Sequence, residues 1–232
     1  MKTLGLIGGM SWESTIPYYR QINETVKQHL GGLHSARIVL YSVDFHEIEQ
    51  LQHAGRWDEA GELVADAGRR LERAGADALV LCTNTMHKVA AQIEAAVDVP
   101  LLHIADPTAR AIRAAGLSRI GLLGTRFTME QAFYRSRLEE AHGLRVVTPQ
   151  AEDREAVHRI IYEELCLGEI RDASRDTYLS VIERLRNDGA EAIILGCTEI
   201  SLLVEPRHVE GMPLFDTTRL HAVHAAEWAL AA

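Results

Sequence analysis

The sequence lacks long hydrophobic runs, and this absence limits where the protein can act. No apolar run in its 232 residues approaches the roughly 20 residues that a membrane-spanning helix needs. Its beginning, Met1-Lys2 followed by the short run LGLIGG, has neither the apolar length nor the A-x-A cleavage pattern of a signal peptide. We therefore expect a cytoplasmic protein.

Positive charge is also in short supply. The 24 Lys and Arg residues are outnumbered by 33 Asp and Glu residues, and they are interleaved with them, which gives a net charge of −9. Nucleic acids and anionic membrane surfaces are bound by clustered positive charge. The composition therefore predicts neither a nucleic-acid partner nor a membrane partner.

Cysteine is rare, and several common site motifs are absent. The three cysteines include no CxxC pair, so we expect no disulfide scaffold, and Cys82 and Cys166 are interpreted as small core residues. The sequence has no GxGxxG or lysine-containing phosphate loop, no GxSxG elbow and no zinc-ligand spacing. Nucleotide binding, a serine hydrolase and a metal site are therefore not supported.

The most informative stretch occurs twice. Residues 75–87 read GADALVLCTNTMH, and residues 189–201, 114 positions later (189 − 75), read GAEAIILGCTEIS without a gap. Two further pairs match in the same order, KTLGLIG with SRIGLLG and VPLL with MPLF. Three matches in order at nearly constant spacing indicate a duplicated unit.

Each copy alternates short apolar runs with segments of helical period. Continuous runs such as ARIVLYSV at residues 36–43 predict fully buried strands, and the segments between runs predict helices, including one over residues 126–142. This alternation is typical of right-handed βαβ units. We expect an α/β protein with two pseudo-symmetric, flavodoxin-like domains, each containing a four-stranded parallel sheet.

The duplication also predicts how the chain is divided. The terminal helix is expected to return to the first half, which gives a discontinuous first domain of residues 1–104 plus 212–232 and a second domain of residues 105–211. Open parallel sheets bind ligands beyond the carboxyl ends of their strands. An active site is therefore expected in the cleft between the two domains.

Polar residues follow the apolar runs at those strand ends. The repeat aligns Thr83 with Cys197, and Cys197 lies between a glycine and Thr198-Glu199, a context consistent with either a core residue or a functional thiol. Several of the hydroxyl residues are also compatible with helix caps. Glu199 and Asp106 are available for acid–base chemistry, but no spacing pairs them. The histidines, among them His46, His87 and His103, are interpreted as satisfied polar residues.

Together, the GLIGGMS opening, the TNTMH turn, the GCTEI turn and the duplication resemble the aspartate/glutamate racemases. The resemblance covers the whole chain and is strongest to the enterobacterial branch that is specific for L-aspartate and L-glutamate. It implies an enzyme without a cofactor that interconverts the L- and D-forms of a small amino-acid substrate, and it implies a homodimer. In this family two cysteines, each ending one repeat, flank the substrate α-carbon.

The resemblance also implies the site residues. Thr83 stands where the family has its first cysteine, and Cys197 matches the second, so these two residues are expected to be catalytic. The residues expected to bind the substrate are Met10, Ser11, Gln52, Asn84, Thr85, Thr198 and Glu199.

The replacement of one cysteine by threonine has a chemical consequence. Racemisation without a cofactor needs a base on one face of the α-carbon and an acid on the other. A thiol with a pKa near 8.5 can serve in either role, whereas a threonine hydroxyl is a far weaker acid. We therefore expect unequal rates in the two directions, and the resemblance implies that the L-enantiomer is the preferred one.

Two other functions remain compatible with these residues. One is a broad-specificity amino-acid racemase, or a related isomerase or decarboxylase of the same superfamily. The other is a non-catalytic amino-acid-binding protein in which loss of the first cysteine ended turnover.

Overall fold

The computed structural model describes residues 1–231. Two compact units are present, one formed by Met1–Ile104 with the chain from His221 onward and the other by Ala105–Leu220. Each contains one four-stranded sheet in which all pairings are parallel. The prediction of an α/β protein with two four-stranded parallel sheets is confirmed.

The first unit begins with the parallel strand β1 and its crossover helix. Its elements, in chain order, are β1 (Thr3–Gly8), α1 (Trp12–Leu30), β2 (Arg37–Ser42), α2 (Phe45–His53), α3 (Trp57–Arg73), β3 (Ala78–Leu81), a 3₁₀ helix (Thr85–Val89), α4 (Ala90–Ala96) and β4 (Leu101–Leu102). The strand order is β2-β1-β3-β4.

The second unit repeats this order. Its elements are α5 (Ala105–Ala114), β5 (Arg119–Gly124), α6 (Arg126–Glu130), α7 (Ala132–Ser136), a π-helical turn (Arg137–Ala141), β6 (Arg145–Val147), α8 (Ala151–Glu163), a 3₁₀ turn (Leu165–Leu167), α9 (Asp172–Asn187), β7 (Ala192–Gly196), α10 (Ile200–Leu203), a 3₁₀ turn (Pro206–His208) and β8 (Leu214–Asp216). The strand order β6-β5-β7-β8 matches that of the first unit. The last helix, α11 (Thr217–Leu230), follows β8.

An acidic residue just before β3 and another just before β7 make equivalent hydrogen bonds in the two units. The Asp77 carboxylate accepts a hydrogen bond from the Thr3 N–H at 2.6 Å. The Glu191 carboxylate accepts from the Ser118 and Arg119 N–H groups at 2.8 and 2.7 Å. The sequence repeat is therefore also a repeat of hydrogen bonding that fixes where the paired strands begin.

The terminal helix α11 packs on the first sheet. Its alanines 222, 225, 226 and 229 lie in one buried cluster with Leu4, Leu6 and Tyr18. His221 Nε2 donates to the Leu102 carbonyl oxygen at 2.7 Å, and its Nδ1 lies 2.9 Å from the Tyr18 hydroxyl. The chain passes from the second unit to the first at Leu220 and His221 rather than at residue 212, because β8 pairs with β7.

Two local predictions are wrong. The segment 36–43 is not a fully buried strand, because β2 is the edge strand of its sheet and leaves Leu40 and Tyr41 exposed. The segment 126–142 is not one helix, because Gln131 has an extended backbone (φ −86°, ψ 148°) that separates α6 from α7. Within residues 1–231 no helix combines the length and apolar character that crossing a membrane requires.

Candidate active site

In the first unit the predicted residues gather at the carboxyl ends of β1 and β3. These strands pair in parallel with Ile7 opposite Leu81, so the turns that follow them lie side by side. The predicted residues of these two turns are all buried: Met10, Ser11, Thr83, Asn84 and Thr85. The parallel pairing therefore brings together five residues from two distant parts of the sequence.

Ser11 has a structural task in this turn. It is the N-cap of α1, where its hydroxyl accepts from the Ser14 N–H at 3.4 Å and its carbonyl accepts from the Thr15 hydroxyl at 2.9 Å. The Ser11 hydroxyl is therefore a helix cap, which is one of the interpretations that the sequence allows. Met10 packs in the core cluster beneath the turn.

Gln52 reaches the same region from α2. Its side chain is buried, and its Nε2 donates to the Met86 sulfur at 3.1 Å. Met86 belongs to the TNTMH turn, so Gln52 lies against the segment that carries Thr83. A neutral amide, rather than a cation, therefore stands at this side of the turn.

The backbone N–H and carbonyl groups of Thr83 are both hydrogen-bonded, whereas, in the described part of the chain, its hydroxyl is not. Its N–H donates to the Leu81 carbonyl at 2.9 Å, and its carbonyl lies 2.7 Å from Nδ1 of His87. Among residues 1–231 the Thr83 hydroxyl has no hydrogen-bond partner. The preceding Cys82 packs in a core cluster, where its sulfur lies 3.6 Å from the Val80 carbonyl oxygen, so it does not replace the missing cysteine.

In the second unit, glycines allow the strand ends to approach closely. Gly124 of β5 is opposite Gly196 of β7. A Cβ atom on Gly196 would lie 2.8 Å from the Leu123 carbonyl oxygen, and one on Gly124 would lie 2.7 Å from the Gly196 carbonyl oxygen. Cys197 therefore follows a backbone position that only glycine fits without a shift.

Cys197, Thr198 and Glu199 form one hydrogen-bonded group. The Cys197 sulfur lies 2.9 Å from Oε2 of Glu199, and the Thr198 hydroxyl donates to the same oxygen at 2.7 Å. All three side chains are buried. The Glu199 carboxylate, predicted from the resemblance as a substrate contact, thus lies directly against the candidate catalytic thiol.

A second cysteine completes this group. The Cys166 sulfur lies 3.8 Å from the other Glu199 oxygen, Oε1. The sequence interpretation of Cys166 as a core residue missed this contact. No sequence spacing predicts this contact, because Cys166 lies in the 3₁₀ turn after α8 and is separated from β7 by the helix α9.

The surroundings of Cys197 hold its thiol in the protonated form. Burial raises the pKa of the Cys197 thiol well above its usual value, and the negative charge of Glu199 raises it further, followed by Cys166. Burial likewise raises the pKa of Tyr178, which packs in the same cluster. The arrangement is a protonated thiol at hydrogen-bond distance from a carboxylate.

Asp106, the other carboxylate considered for acid–base chemistry, has a different environment. It accepts a two-pronged ion pair from Arg137 at 2.7 and 2.8 Å and a contact from His142 at 3.1 Å. These partners indicate a structural role. Over the described chain, residues 1–231, no group of three or more His, Cys, Asp or Glu side chains is placed to hold a metal ion.

Comparison with known proteins gives consistent relatives over the whole chain. The family described as Asp/Glu/Hydantoin racemase matches residues 7–225. A Yersinia pestis protein provisionally described as an Asp/Glu racemase has a crystal structure that is 63% identical, with a TM-score of 0.91 and full coverage of both chains. An aspartate racemase homologue from Pyrococcus horikoshii is 34% identical, with a TM-score of 0.85 and full coverage of both chains.

A functionally named relative comes from Bacillus subtilis. It is described as a broad-specificity amino-acid racemase and is 24% identical over 228 residues, which cover 93% of this chain and 92% of the relative.

The contact between Cys197 and Glu199 generates a testable electrostatic prediction. In Glu199→Gln the ionisation midpoint of Cys197 is expected to move to lower pH, because the negative charge that raises the thiol pKa is removed. The measurement is the rate of iodoacetamide alkylation against pH, followed on the Cys197 peptide by mass spectrometry. Glu191→Gln removes a charge at the opposite end of β7 and is the control, with an unchanged midpoint. A midpoint that stays in place or rises in Glu199→Gln would contradict the assignment.

Proposed function

Since this chain belongs to the Asp/Glu/hydantoin racemase family and is an isomerase that acts on amino acids, we propose that it interconverts the L- and D-forms of aspartate or glutamate. The reaction moves one proton off the α-carbon and another onto it. The observation that carries the proposal is the buried Cys197 thiol at the end of β7, 2.9 Å from the Glu199 carboxylate.

Cys197 begins the reaction by losing its own proton. The proton passes from sulfur to Oε2 of Glu199, which leaves a thiolate and a neutral carboxylic acid. The thiolate then removes the α-proton, and the electron pair of the C–H bond remains on the substrate. Transfer to a neighbouring carboxylate avoids burying two negative charges side by side, which a low-dielectric site disfavours. Glu199 is therefore the proton acceptor that makes a buried thiol usable as a base.

Thr83 serves the other face of the α-carbon. Its hydroxyl donates a proton to the α-carbon while it takes one from a water molecule, which completes inversion. The proton held by Glu199 then neutralises the hydroxide that is left, so that Thr83, Glu199 and Cys197 regain their starting protonation states. A hydroxyl is a much weaker acid than a thiol, so its alkoxide is scarcely available to start the reverse reaction. The resemblance to the branch specific for L-aspartate and L-glutamate implies that Cys197 acts on the L-enantiomer, and we therefore assign L-amino acids as the faster substrates. Equilibrium still fixes equal amounts of the two enantiomers, so only initial rates and affinities differ.

The α-carboxylate is assigned to short polar groups in the two turns. Asn84 and Thr85 contribute their side chains, and Thr198 contributes its backbone N–H, since its hydroxyl proton is directed at Glu199. Charge that develops on the substrate is best stabilised by donors already fixed in place. Both proton transfers use groups of the chain itself, so the proposed mechanism requires no pyridoxal phosphate or other cofactor.

A broader substrate range is the second candidate. The buried side chain at the TNTMH turn is Gln52, a neutral amide, which does not favour a distal carboxylate as a cation would. The Bacillus subtilis relative is described as broad-specificity. A panel of acidic, neutral and basic amino acids separates this candidate from an enzyme confined to aspartate and glutamate. Binding without any turnover would favour the non-catalytic alternative.

We further propose a homodimer formed through the β2 edge. Leu40 and Tyr41 are exposed on this edge strand, and α1 exposes a helical row of Trp12, Ile16 and Tyr19. Leu40 of β2 and Thr15 of α1 both border Gly8, so the two elements that carry these exposed side chains lie close together. An apolar strand edge is a template for pairing with another chain, and a second copy would cover both sets.

The first test is proton exchange at the α-carbon in deuterated water. Cys197→Ala is expected to lower exchange from L- and D-aspartate by at least about 100-fold, the usual contribution of a positioned base. Mass spectrometry and chiral chromatography measure incorporation and inversion. Cys82→Ala removes a thiol that lies in the core and serves as the control, with exchange retained. Full exchange in Cys197→Ala would rule out this thiol as the base.

The second test restores the missing thiol. Thr83→Cys is expected to raise the initial rate from the slow enantiomer, relative to the fast one, by about tenfold or more, because a thiol ionises far more readily than a hydroxyl. The ratio of initial rates from pure L- and D-substrate is the measurement. An unchanged ratio would count against a role for residue 83 at the second face.

The third test concerns assembly. Leu40→Lys is expected to convert the dimer to a monomer in sedimentation velocity, because a charge on the β2 edge opposes strand pairing. Leu167→Lys changes an exposed leucine in the second unit and is expected to remain dimeric. A wild-type monomer, or dissociation by Leu167→Lys alone, would reject the proposed interface.

A further inference from the structure

His87 lies directly behind Thr83 and is not accounted for by the mechanism above. It belongs to the 3₁₀ helix Thr85–Val89, four residues after Thr83, and its side chain is buried. Buried histidine rings need partners at their nitrogens. The identity of those partners fixes what this ring can do.

Both ring nitrogens face backbone groups. Nδ1 is 2.7 Å from the Thr83 carbonyl oxygen, and Nε2 is 3.2 Å from the Ile104 nitrogen. A carbonyl oxygen only accepts a hydrogen bond, and a backbone N–H only donates one. The ring is therefore neutral, with its proton on Nδ1 and the lone pair of Nε2 directed at Ile104.

This ring fixes the backbone that carries the Thr83 hydroxyl. The Thr83 N–H is bound by the Leu81 carbonyl, and the Thr83 carbonyl is bound by His87, so both peptide groups of the residue are anchored. With the backbone held, the hydroxyl direction depends on χ1 alone, and χ1 is stiff in a β-branched residue. Loss of the His87 bond would release the carbonyl and, with it, the direction of the hydroxyl.

The ring itself is held by a cluster of titratable groups. The His103 ring lies at 4.4 Å between centroids, and the His221 ring lies at 6.0 Å. His221 is in turn bound by the Tyr18 hydroxyl and the Leu102 carbonyl. His87 is therefore packed among fixed aromatic rings.

The two repeats differ at the position of His87, as they also differ at the position of Thr83. At the offset of 114 positions between the two copies, His87 aligns with Ser201 and Thr85 aligns with Glu199. The Ser201 hydroxyl donates to the Thr198 carbonyl at 3.2 Å, not to the Cys197 carbonyl. The unit with the thiol has a proton acceptor beside it, and the unit with the hydroxyl has a histidine bound to its backbone.

We propose that His87 is the positioning residue for Thr83, holding the Thr83 carbonyl through its Nδ1 proton so that the hydroxyl points at the α-carbon. This inference rests on the proposed function. His87 does not touch the substrate, and its contribution is confined to the face of the α-carbon that Thr83 serves.

Two substitutions at His87 separate the two ring nitrogens. His87→Asn keeps a donor near the Nδ1 position and loses the acceptor for Ile104, whereas His87→Gln keeps an acceptor near the Nε2 position and loses the donor for Thr83. The readout is the ratio of inversion to exchange with retained configuration, measured from L-aspartate in deuterated water. Retained exchange needs only the Cys197 face, and inversion also needs Thr83.

The expected results are unequal for the two variants. His87→Gln is expected to lower the ratio of inversion to retained exchange by about tenfold, as loss of one buried hydrogen bond would do, and His87→Asn is expected to stay within about threefold of wild type. His221→Gln disturbs the same cluster without removing the Thr83 bond and is the control for general destabilisation. Equal falls in both reactions in all three variants would overturn the positioning role.

A measurement that does not depend on activity tests the inference even where the enzyme assay fails or a variant does not fold. Long-range ¹H–¹⁵N spectra of the wild-type chain, with His87 assigned from His87→Asn or His87→Gln, are expected to give a neutral ring protonated at Nδ1. A ring protonated at Nε2 or at both nitrogens at neutral pH would overturn the inference. Absence of exchange with every amino acid tested would instead reject the proposed function, while the tautomer would still decide whether His87 anchors Thr83.

Discussion

The parallel pairing of β1 with β3, and of β5 with β7, determines where the candidate functional residues at the strand ends lie. The carboxylates of Asp77 and Glu191 bind the N–H groups at the start of the neighbouring strands and thereby set the register. Side chains alternate between the two faces of a strand, so a slip of one residue would exchange the positions of Thr83 and Cys82. Correct register is therefore a condition for the site as well as for the core.

Much of the fold could be predicted because it depends on local patterns that occur twice. The strands β3 and β7 are apolar and short, each begins three residues after a glycine, and their alignment holds in the hydrogen bonds as well as in the sequence. The exposed β2 strand could not be predicted in the same way. An apolar run of β-branched residues indicates a strand, but its burial depends on which strands lie beside it, and β2 has a partner on one side only.

The break in the segment 126–142 has a similar origin. Nothing in the sequence around Gln131 is a strong helix breaker, since it contains neither proline nor glycine. Tertiary packing, with Phe127 and Met129 on one side of the break and Tyr134 on the other all buried, outweighs helical propensity here. The chain bends so that both short helices can bury their apolar side chains.

The sequence predicts the residues of the candidate site but not their contacts. Thr83 and Cys197 follow from the repeat and the family motif, and the buried turns that carry them agree with a role at strand ends. The Glu199 contact with Cys197 depends on how the chain turns after β7, and the Cys166 contact depends on the distant turn after α8. Neither contact follows from a periodic pattern in the sequence, so only the structure shows that the Cys166 and Cys197 sulfurs both lie near the Glu199 carboxylate.

The different partners of Thr83 and Cys197 follow from the acidity of their side chains. A carboxylate beside a thiol is the proton acceptor that the proposed mechanism uses, because a thiol is far more acidic than a hydroxyl even where burial and a neighbouring charge raise its pKa. A carboxylate beside a threonine hydroxyl would not produce an alkoxide, and it would add an unpaired buried charge. Holding the backbone is then the useful contribution that a neighbouring side chain can make. The pairing of His87 with Thr83, and of Glu199 with Cys197, is the arrangement that this chemistry favours.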